Sequence, residues 1–244
     1  MRVTRIFHDG ELVPQAEIEL TPEASNHLLR VLRLTMNAPL VIFNGKGGQY
    51  NATISQVSKK TCRITLNEFI KQNIESPLIT HLAQGIARGD QMDLIIQKSV
   101  ELGITTITPL LTQYSEGHLS RERLVKRLHH WRQIAIHACE QCGRNILPAI
   151  EEPQTFGEVL SEKSAVLKLI LHPHVRDPLP ALVSTPKEVM TMIGPEGGFS
   201  ETEIDLALRH GFQAMSFGPR ILRMETAAIS LLSVVQYLWG DLKR

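Results

Sequence analysis

Cysteine is scarce in this chain, with three residues in 244, at positions 62, 139 and 142. That is too few for a disulfide framework, and a zinc site needs about four ligands, usually as two spaced pairs. Cys139 and Cys142 form a lone C-x-x-C near the end of a predicted helix, whereas redox pairs sit at a helix start after a strand. Ordinary reduced cysteines and no metal are therefore expected. Long hydrophobic runs are also missing. The greasiest stretch, from Ala227 to Trp239, is broken by Ser230, Ser233 and Gln236, and is too short and polar to span a bilayer. Residues 1–10 have no apolar signal-peptide core. The expectation is a cytoplasmic protein without membrane contact.

Charge of one sign is lacking as well. The formal net charge is +1, and 43% hydrophobic with 21% charged residues is ordinary for a folded soluble chain. The distribution says slightly more. Residues 1–72 hold nine Lys/Arg against six Asp/Glu, while residues 73–244 hold 17 against 19. A mildly basic first part suits a phosphate backbone, although small solvated domains often carry such an excess. Two glycine fingerprints are absent: the P-loop with its Lys-Ser/Thr, and the G-x-G-x-x-G of dinucleotide folds. Their absence counts against an α/β oxidoreductase and against the common Rossmann methyltransferases.

What is present divides in two. Up to residue 72 the pattern is β-rich with one helix. Thr21 caps a helix that Pro22 opens, and Ala24, Leu28 and Leu32 recur at helical spacing. Strands follow at 40–43, 50–57 and 62–69, the first two joined by the turn at Asn44 to Gly48. In the third, Cys62, Ile64 and Leu66 alternate with polar residues. A small barrel or curled sheet is expected. After the polar connector at 71–77, strands are predicted at 79–86, 104–109, 165–171, 189–193 and 213–217. Helices alternate with them near 90–102, 120–142, 201–210 and 225–239. Such alternation predicts an α/β domain with a mostly parallel sheet over 73–244. The last helix is apolar around most of its circumference and should be buried, in the core or against a second subunit.

Two loops carry the chemistry. Gly194-Pro195-Glu196-Gly197-Gly198 follows an apolar strand and precedes a helix opened by the capping box Ser200-Glu201-Thr202-Glu203. A glycine-rich turn at the carboxyl end of a parallel strand is where α/β proteins place ligands. The stretch from Phe217 to Ala228 also lies between a strand and a helix. Its Arg220, Arg223 and Glu225 fit either an active site or a plain salt bridge with a helix start.

The two loops together resemble the paired signature of RsmE-type SPOUT methyltransferases. Further matches extend along the chain: His27-Leu-Leu-Arg-Val-Leu-Arg33, the Asn44-Gly45 turn, Gln97-Lys98-Ser-Val-Glu101-Leu-Gly103, and Glu140-Gln-Cys-Gly-Arg144. Phe217 stands where Leu is usual, Cys142 where Ser is common, and Arg88 where Lys often occurs. The resemblance implies a PUA-like N-terminal RNA-binding domain (1–72) and a C-terminal SPOUT domain with a trefoil knot (73–244). It implies a homodimer through the C-terminal domain.

The implied reaction moves a methyl group from S-adenosylmethionine to N3 of a uridine in 16S ribosomal RNA, free or in the small subunit, without a metal. The cofactor would be enclosed by Leu171, His172 and Pro173; by Gly194, Pro195, Glu196, Gly197 and Gly198; and by Phe217, Gly218, Ile221, Leu222, Arg223, Thr226 and Ala227. Arg220 is the first candidate for steadying charge on the uracil oxygens, with Arg223 second, because an arginine is always protonated. Glu225 or Glu196 would take the N3 proton or, preferably, hold an arginine in place; His172 has the right intrinsic pKa for a base. Candidate RNA contacts are Arg2, Arg5, Arg30 and Arg33 in the first domain, with Arg88, Lys98 and Arg144 in the second. Alternatives are a SPOUT enzyme acting on another RNA nucleoside, and a non-catalytic RNA-binding or assembly factor.

Overall fold

The computed structural model describes residues 3–58, 61–87, 89–115, 120–161, 167–174 and 185–243. Two compact units emerge, Met1–Glu75 with Cys139–Leu147, and Ser76–Ala138 with Pro148–Arg244. The segment Cys139–Leu147 thus groups with residues far earlier in the chain, which no local pattern signals.

The first unit is a five-stranded sheet of β1 (Thr4–Phe7), β2 (Glu17–Glu19), β3 (Pro39–Phe43), β4 (Gln49–Val57) and β5 (Cys62–Ile70), in the order β1-β3-β4-β5-β2. The β1–β3 pairing is parallel and the others antiparallel. Register shifts between Tyr50 and Ala52 and between Ile54 and Gln56 interrupt the β4–β5 ladder, and such irregularities bend a sheet. The alternation expected in β5 is observed: Cys62, Ile64 and Leu66 are buried with Ile6, Leu40, Ile42 and Ile54. Strands β1 and β2 were not expected from the pattern, being four and three residues long.

Helix α1 (Pro22–Asn26) starts as predicted, with the Thr21 hydroxyl accepting the Ala24 N–H at 3.2 Å. It then widens into a π turn, His27–Val31. The wider turn breaks the expected spacing: Leu28 is buried, but Leu32 is exposed rather than in the core.

The second unit holds a seven-stranded sheet in which every pairing is parallel. Its elements are β6 (Ile79–Gly85), α2 (Gln91–Glu101), β7 (Thr106–Leu111), α3 (Arg121–Cys142), β8 (Ala149–Ile150), β9 (Gln154–Thr155), α4 (Phe156–Ser161), β10 (Leu167–Leu171), β11 (Glu188–Ile193), α5 (Glu201–Arg209), β12 (Gln213–Met215) and α6 (Met224–Trp239). The order is β12-β10-β11-β6-β7-β8, with β9 also on β7. The predicted strands and helices are all present, though the start of the 165–171 strand lies outside the described residues. Three short elements, β8, β9 and α4, escaped prediction because they offer too few residues for a period to show.

Helix α6 packs on α2 and buries Ala227, Ala228, Leu231, Leu232 and Val235. Its one fully buried polar side chain, Gln236, is satisfied by the Ser76 hydroxyl at 2.7 Å and the Gly103 carbonyl at 3.5 Å. The opposite face, with Thr226, Ile229, Ser230, Ser233, Val234 and Tyr237, is partly or fully open. Among the described residues no helix is long and apolar enough to cross a membrane.

Candidate active site

Strands β12, β10, β11 and β6 run side by side and parallel, so their carboxyl ends open on one edge of the sheet. Ligands bind on that edge in α/β sheets, because the loops leaving it present free backbone groups. Three such loops, after β10, β11 and β12, and the first turn of α6 line a cavity of about 460 Å³. The cavity size falls in the range of small-ligand sites, roughly 300–1,000 Å³.

The loop after β11 comes close to the end of β6. A Cβ on Gly85 would collide with the Pro195 nitrogen and the Gly194 carbonyl carbon, and one on Gly194 would press into the Gly198 backbone. Only glycine permits that approach. Gly198 N–H closes the turn onto the Pro195 carbonyl at 2.9 Å, and the buried Gln84 amide donates to the Gly194 carbonyl at 3.4 Å. The capping box then fixes the exit. The Glu203 N–H donates to Ser200 Oγ at 3.3 Å, and the Ser200 N–H donates to the Glu203 carboxylate at 2.9 Å.

The structure brings most of the predicted cofactor residues to this cavity. Leu171, His172 and Pro173 line it, as do Gly194, Pro195, Glu196, Gly197 and Gly198. So do Phe217, Ile221, Leu222, Arg223 and Ala227, with Arg220 and Glu225 beside them. Gly218 and Thr226 do not. Thr226 points outward and is exposed, because Met224, Glu225 and Ala227 take the inner side of the first helical turn. Sequence reasoning missed Gln91, Ile193, Ser216 and Met224 in the lining, and Gln84 and Gly85 behind it. The Gly at the end of β6 was the available signal, since an isolated strand glycine often marks close backbone approach.

Among the described residues, two buried polar atoms at the cavity have no hydrogen-bond partner: His172 Nδ1 and Glu225 Oε2. Such orphans are rare in native proteins and call for an explanation, of which a ligand is one. Burial and the neighbouring His174 hold the His172 pKa below its ordinary value, against an opposing pull from Glu201. Burial and His174 both favour the neutral imidazole. Arg220 and Arg223 are exposed, and among the described residues neither guanidinium has a partner. The plain salt bridge is thus not formed, and Glu225 does not hold an arginine. The helix-start half of that reading is correct, since Arg223 occupies the N-cap of α6 and Glu225 its first turn.

The donor set fits S-adenosylmethionine. Apolar Leu171, Ile193, Phe217 and Leu222 offer walls for an adenine, the glycine loop offers backbone groups, and a partnerless carboxylate suits a cation. Among the described residues no cluster of His, Cys, Asp or Glu is arranged to hold a metal.

The candidate RNA contacts are scattered. Arg2 and Arg88 lie outside the described residues. Arg30 and Arg33 are exposed near the π turn, and Lys98 pairs with Glu101 at 2.8 Å. Arg144 is a correction: its guanidinium is buried and donates twice to Glu75, at 2.5 and 2.8 Å, inside the first unit. Its guanidinium serves as a strut and is not exposed for a phosphate contact. Arg5 is half-buried, bonded to Gln49 at 2.5 Å and Asn145 at 2.6 Å, and lies over the Phe43 ring. Burial drives the Cys139 thiol up to about 12, which suppresses the reactive thiolate.

Comparison with known proteins gives the same picture from outside. The RNA methyltransferase domain model matches residues 74–236, and the RNA methyltransferase PUA domain model matches residues 20–67. The ribosomal RNA small subunit methyltransferase E of Buchnera aphidicola subsp. Acyrthosiphon pisum is 35% identical over 99% of this chain and 96% of that protein. A Legionella pneumophila methyltransferase solved with its cofactor SAM is 43% identical with a TM-score of 0.95, over 99% of this chain and all of that one. The Neisseria gonorrhoeae ribosomal RNA small subunit methyltransferase E, solved with S-adenosyl methionine, is 34% identical with a TM-score of 0.90 over the same shares. With a PUA domain, a parallel-sheet methyltransferase domain and full-length relatives of one kind, the chain belongs to the RNA methyltransferase family and, within it, to the small-subunit methyltransferase E proteins.

Proposed function

We propose that this protein transfers a methyl group from S-adenosylmethionine to N3 of a uridine in the 16S RNA of the small ribosomal subunit. The observation that carries the reading is the cavity at the carboxyl edge of the parallel sheet, with its glycine-bounded loop and two partnerless polar atoms. The cofactor supplies a methyl group already activated by a positive sulfur, so the chain's own work is positioning and charge. Residues 171–173, 194–198, 217, 220–225 and 227 hold it, mostly through backbone groups and apolar contact.

Uridine N3 must lose its proton before it attacks, which leaves negative charge on the uracil oxygens. Arg220 steadies that charge, with Arg223 second; both line the cavity, are exposed, and have no carboxylate partner among the described residues. Glu225 keeps a carboxylate oxygen for a donor on the bound molecules, either the cofactor's cationic end or the departing proton. Residues 1–72 serve as the RNA-binding domain, with Arg30 and Arg33 free for phosphate, and residues 73–244 carry the transfer. A second copy covers the open face of α6, whose Ile229, Val234 and Tyr237 are interspersed with small residues and carry no charge. Light scattering at micromolar concentration should give twice the chain mass. The cytoplasm, where ribosomal RNA resides, is the proposed location.

The test is transfer of labelled methyl from S-adenosylmethionine to small-subunit RNA or particles lacking the mark, followed by nucleoside analysis. Labelled 3-methyluridine is the expected product. Another methylated nucleoside would keep the enzyme class and remove the target atom; cofactor binding without transfer to RNA or particles would leave an RNA-binding factor.

A further inference from the structure

The first unit carries a second cavity, of about 320 Å³, that the transfer chemistry does not use. It opens where the β3–β4 turn, the end of β5 and residues 145–146 come together. Its apolar surface is unusual for a protein exterior: Phe69, Ile74 and Ile146 are 46%, 42% and 39% exposed, side by side around one concavity. Scattered exposed apolar residues mean little, but a concave cluster with a polar rim marks a binding site.

The rim is cationic. Lys46 and Lys71 are exposed, and among the described residues neither ammonium has an ion-pair partner. The one acid among the described lining residues, Glu75, is neutralised by the buried Arg144 guanidinium. The concavity therefore presents an apolar face beneath two free positive charges.

The floor is also held rigid. The Phe69 ring leans on Tyr50, centroids 5.0 Å apart, and the Tyr50 hydroxyl is fixed by donating to the Leu12 carbonyl at 2.9 Å. Any Cβ at position 48 would collide with the Phe69 ring, so Gly48 is what lets the ring lie across the turn. Asn145 is buried; its backbone carbonyl accepts from the Gly47 N–H at 3.1 Å and its side chain from Arg5. A pre-set aromatic face loses little entropy on binding.

We propose that this cavity seats one unpaired nucleotide of an RNA strand, its base against Phe69 and its flanking phosphates on Lys46 and Lys71. A flat apolar group joined to an anion is the ligand that an aromatic floor under free lysines accepts. Its size admits a single nucleotide and excludes a duplex. The proposal rests on RNA being the substrate, but places a contact remote in sequence from every residue of the transfer cavity.

The test uses the full-length protein, a 12-nucleotide random-sequence single-stranded RNA and a duplex of the same length, with binding followed across a salt series. The single strand should bind more tightly. Phe69→Ala should weaken it by about 5- to 100-fold, the worth of one base–aromatic stack, without altering the salt dependence. Lys46→Gln with Lys71→Gln should do the reverse: the slope of log affinity against log salt should fall by about 1.4, at roughly 0.7 per phosphate on a single strand. The lysines are exposed, so that variant reports even where the Phe69 variant is destabilised. S-adenosylmethionine affinity should stay the same in all of them. Equal affinity for single strand and duplex, or an unchanged salt slope in the lysine variant, would overturn the proposal. A wild type that binds as predicted yet methylates nothing would instead remove the transfer reading and leave this site standing.

Discussion

Two segments of this chain look alike on paper and differ completely in the folded molecule. Residues 140–144 read Glu-Gln-Cys-Gly-Arg, and residues 220–225 read Arg-Ile-Leu-Arg-Met-Glu. Each offers arginine and glutamate within a few positions beside a helix end. In the first, the polar groups are engaged: Glu140 accepts the Phe7 N–H at 2.9 Å, and Arg144 is buried against Glu75. In the second, among the described residues, the exposed guanidiniums have no partner and a glutamate oxygen is buried without a donor. Residues whose bonds are already made hold a fold together, whereas bonds left open are available to a ligand. The contrast assigns architecture to one segment and chemistry to the other.

The sharpest way to break that contrast is to truncate one arginine from each. Arg220→Ala should lower kcat by about 100- to 1,000-fold, the usual loss when one group that stabilises developing charge is removed. The melting temperature and S-adenosylmethionine affinity should hardly move, because the side chain is exposed and makes no bond to the described residues. Single-turnover transfer alongside thermal unfolding reads both. A stability loss with unchanged transfer would put Arg220 in the architectural class.

Arg144→Ala should do the opposite. It leaves Glu75, whose side chain is 16% exposed, as a nearly buried charge without its partner, which costs about 3–5 kcal/mol. Urea unfolding should show the loss. Adding Glu75→Gln should restore much of it, since a neutral pair does not carry the desolvation penalty. Failure of the second change to rescue the first would mean that packing of the guanidinium, and not charge, is what the strut supplies.

These roles were only partly legible in the sequence, for a physical reason. Local order was readable wherever few neighbours decide it: the Cys62, Ile64, Leu66 alternation, the Thr21 cap, and the Ser200–Glu203 box all formed as expected. The glycine loop after β11 was readable because a backbone approach leaves a compositional trace. Arg144 was not, because its partner lies 69 residues away and an arginine looks the same whether paired or free. Leu32 was misplaced because a π turn changes the helical period without announcing itself in composition. Gln84 and Gly85 were overlooked for a similar reason, since what they support is a loop more than a hundred residues later.

The smallest expected effect concerns His172, and it tests whether the orphaned nitrogen belongs to the chemistry side of the comparison. Burial holds its folded pKa below 6.5, the ordinary value that the unfolded chain keeps. Above that pH both states are neutral and the residue contributes no slope. As pH falls below about 6.5 the unfolded chain takes up the proton first, so the folded state loses stability until the pH has passed the folded value. Cofactor binding should weaken lower still, as pH falls through the folded value, because a protonated imidazole repels a cationic ligand. Titration calorimetry of S-adenosylmethionine between pH 5 and 8 should therefore show affinity flat on the alkaline side and declining on the acid side, a change of several-fold. His172→Asn, which keeps a polar side chain of similar reach but cannot titrate, should flatten the acid limb. If the decline persists unchanged in that variant, the proton goes elsewhere, and the nitrogen is a packing feature like Arg144 after all.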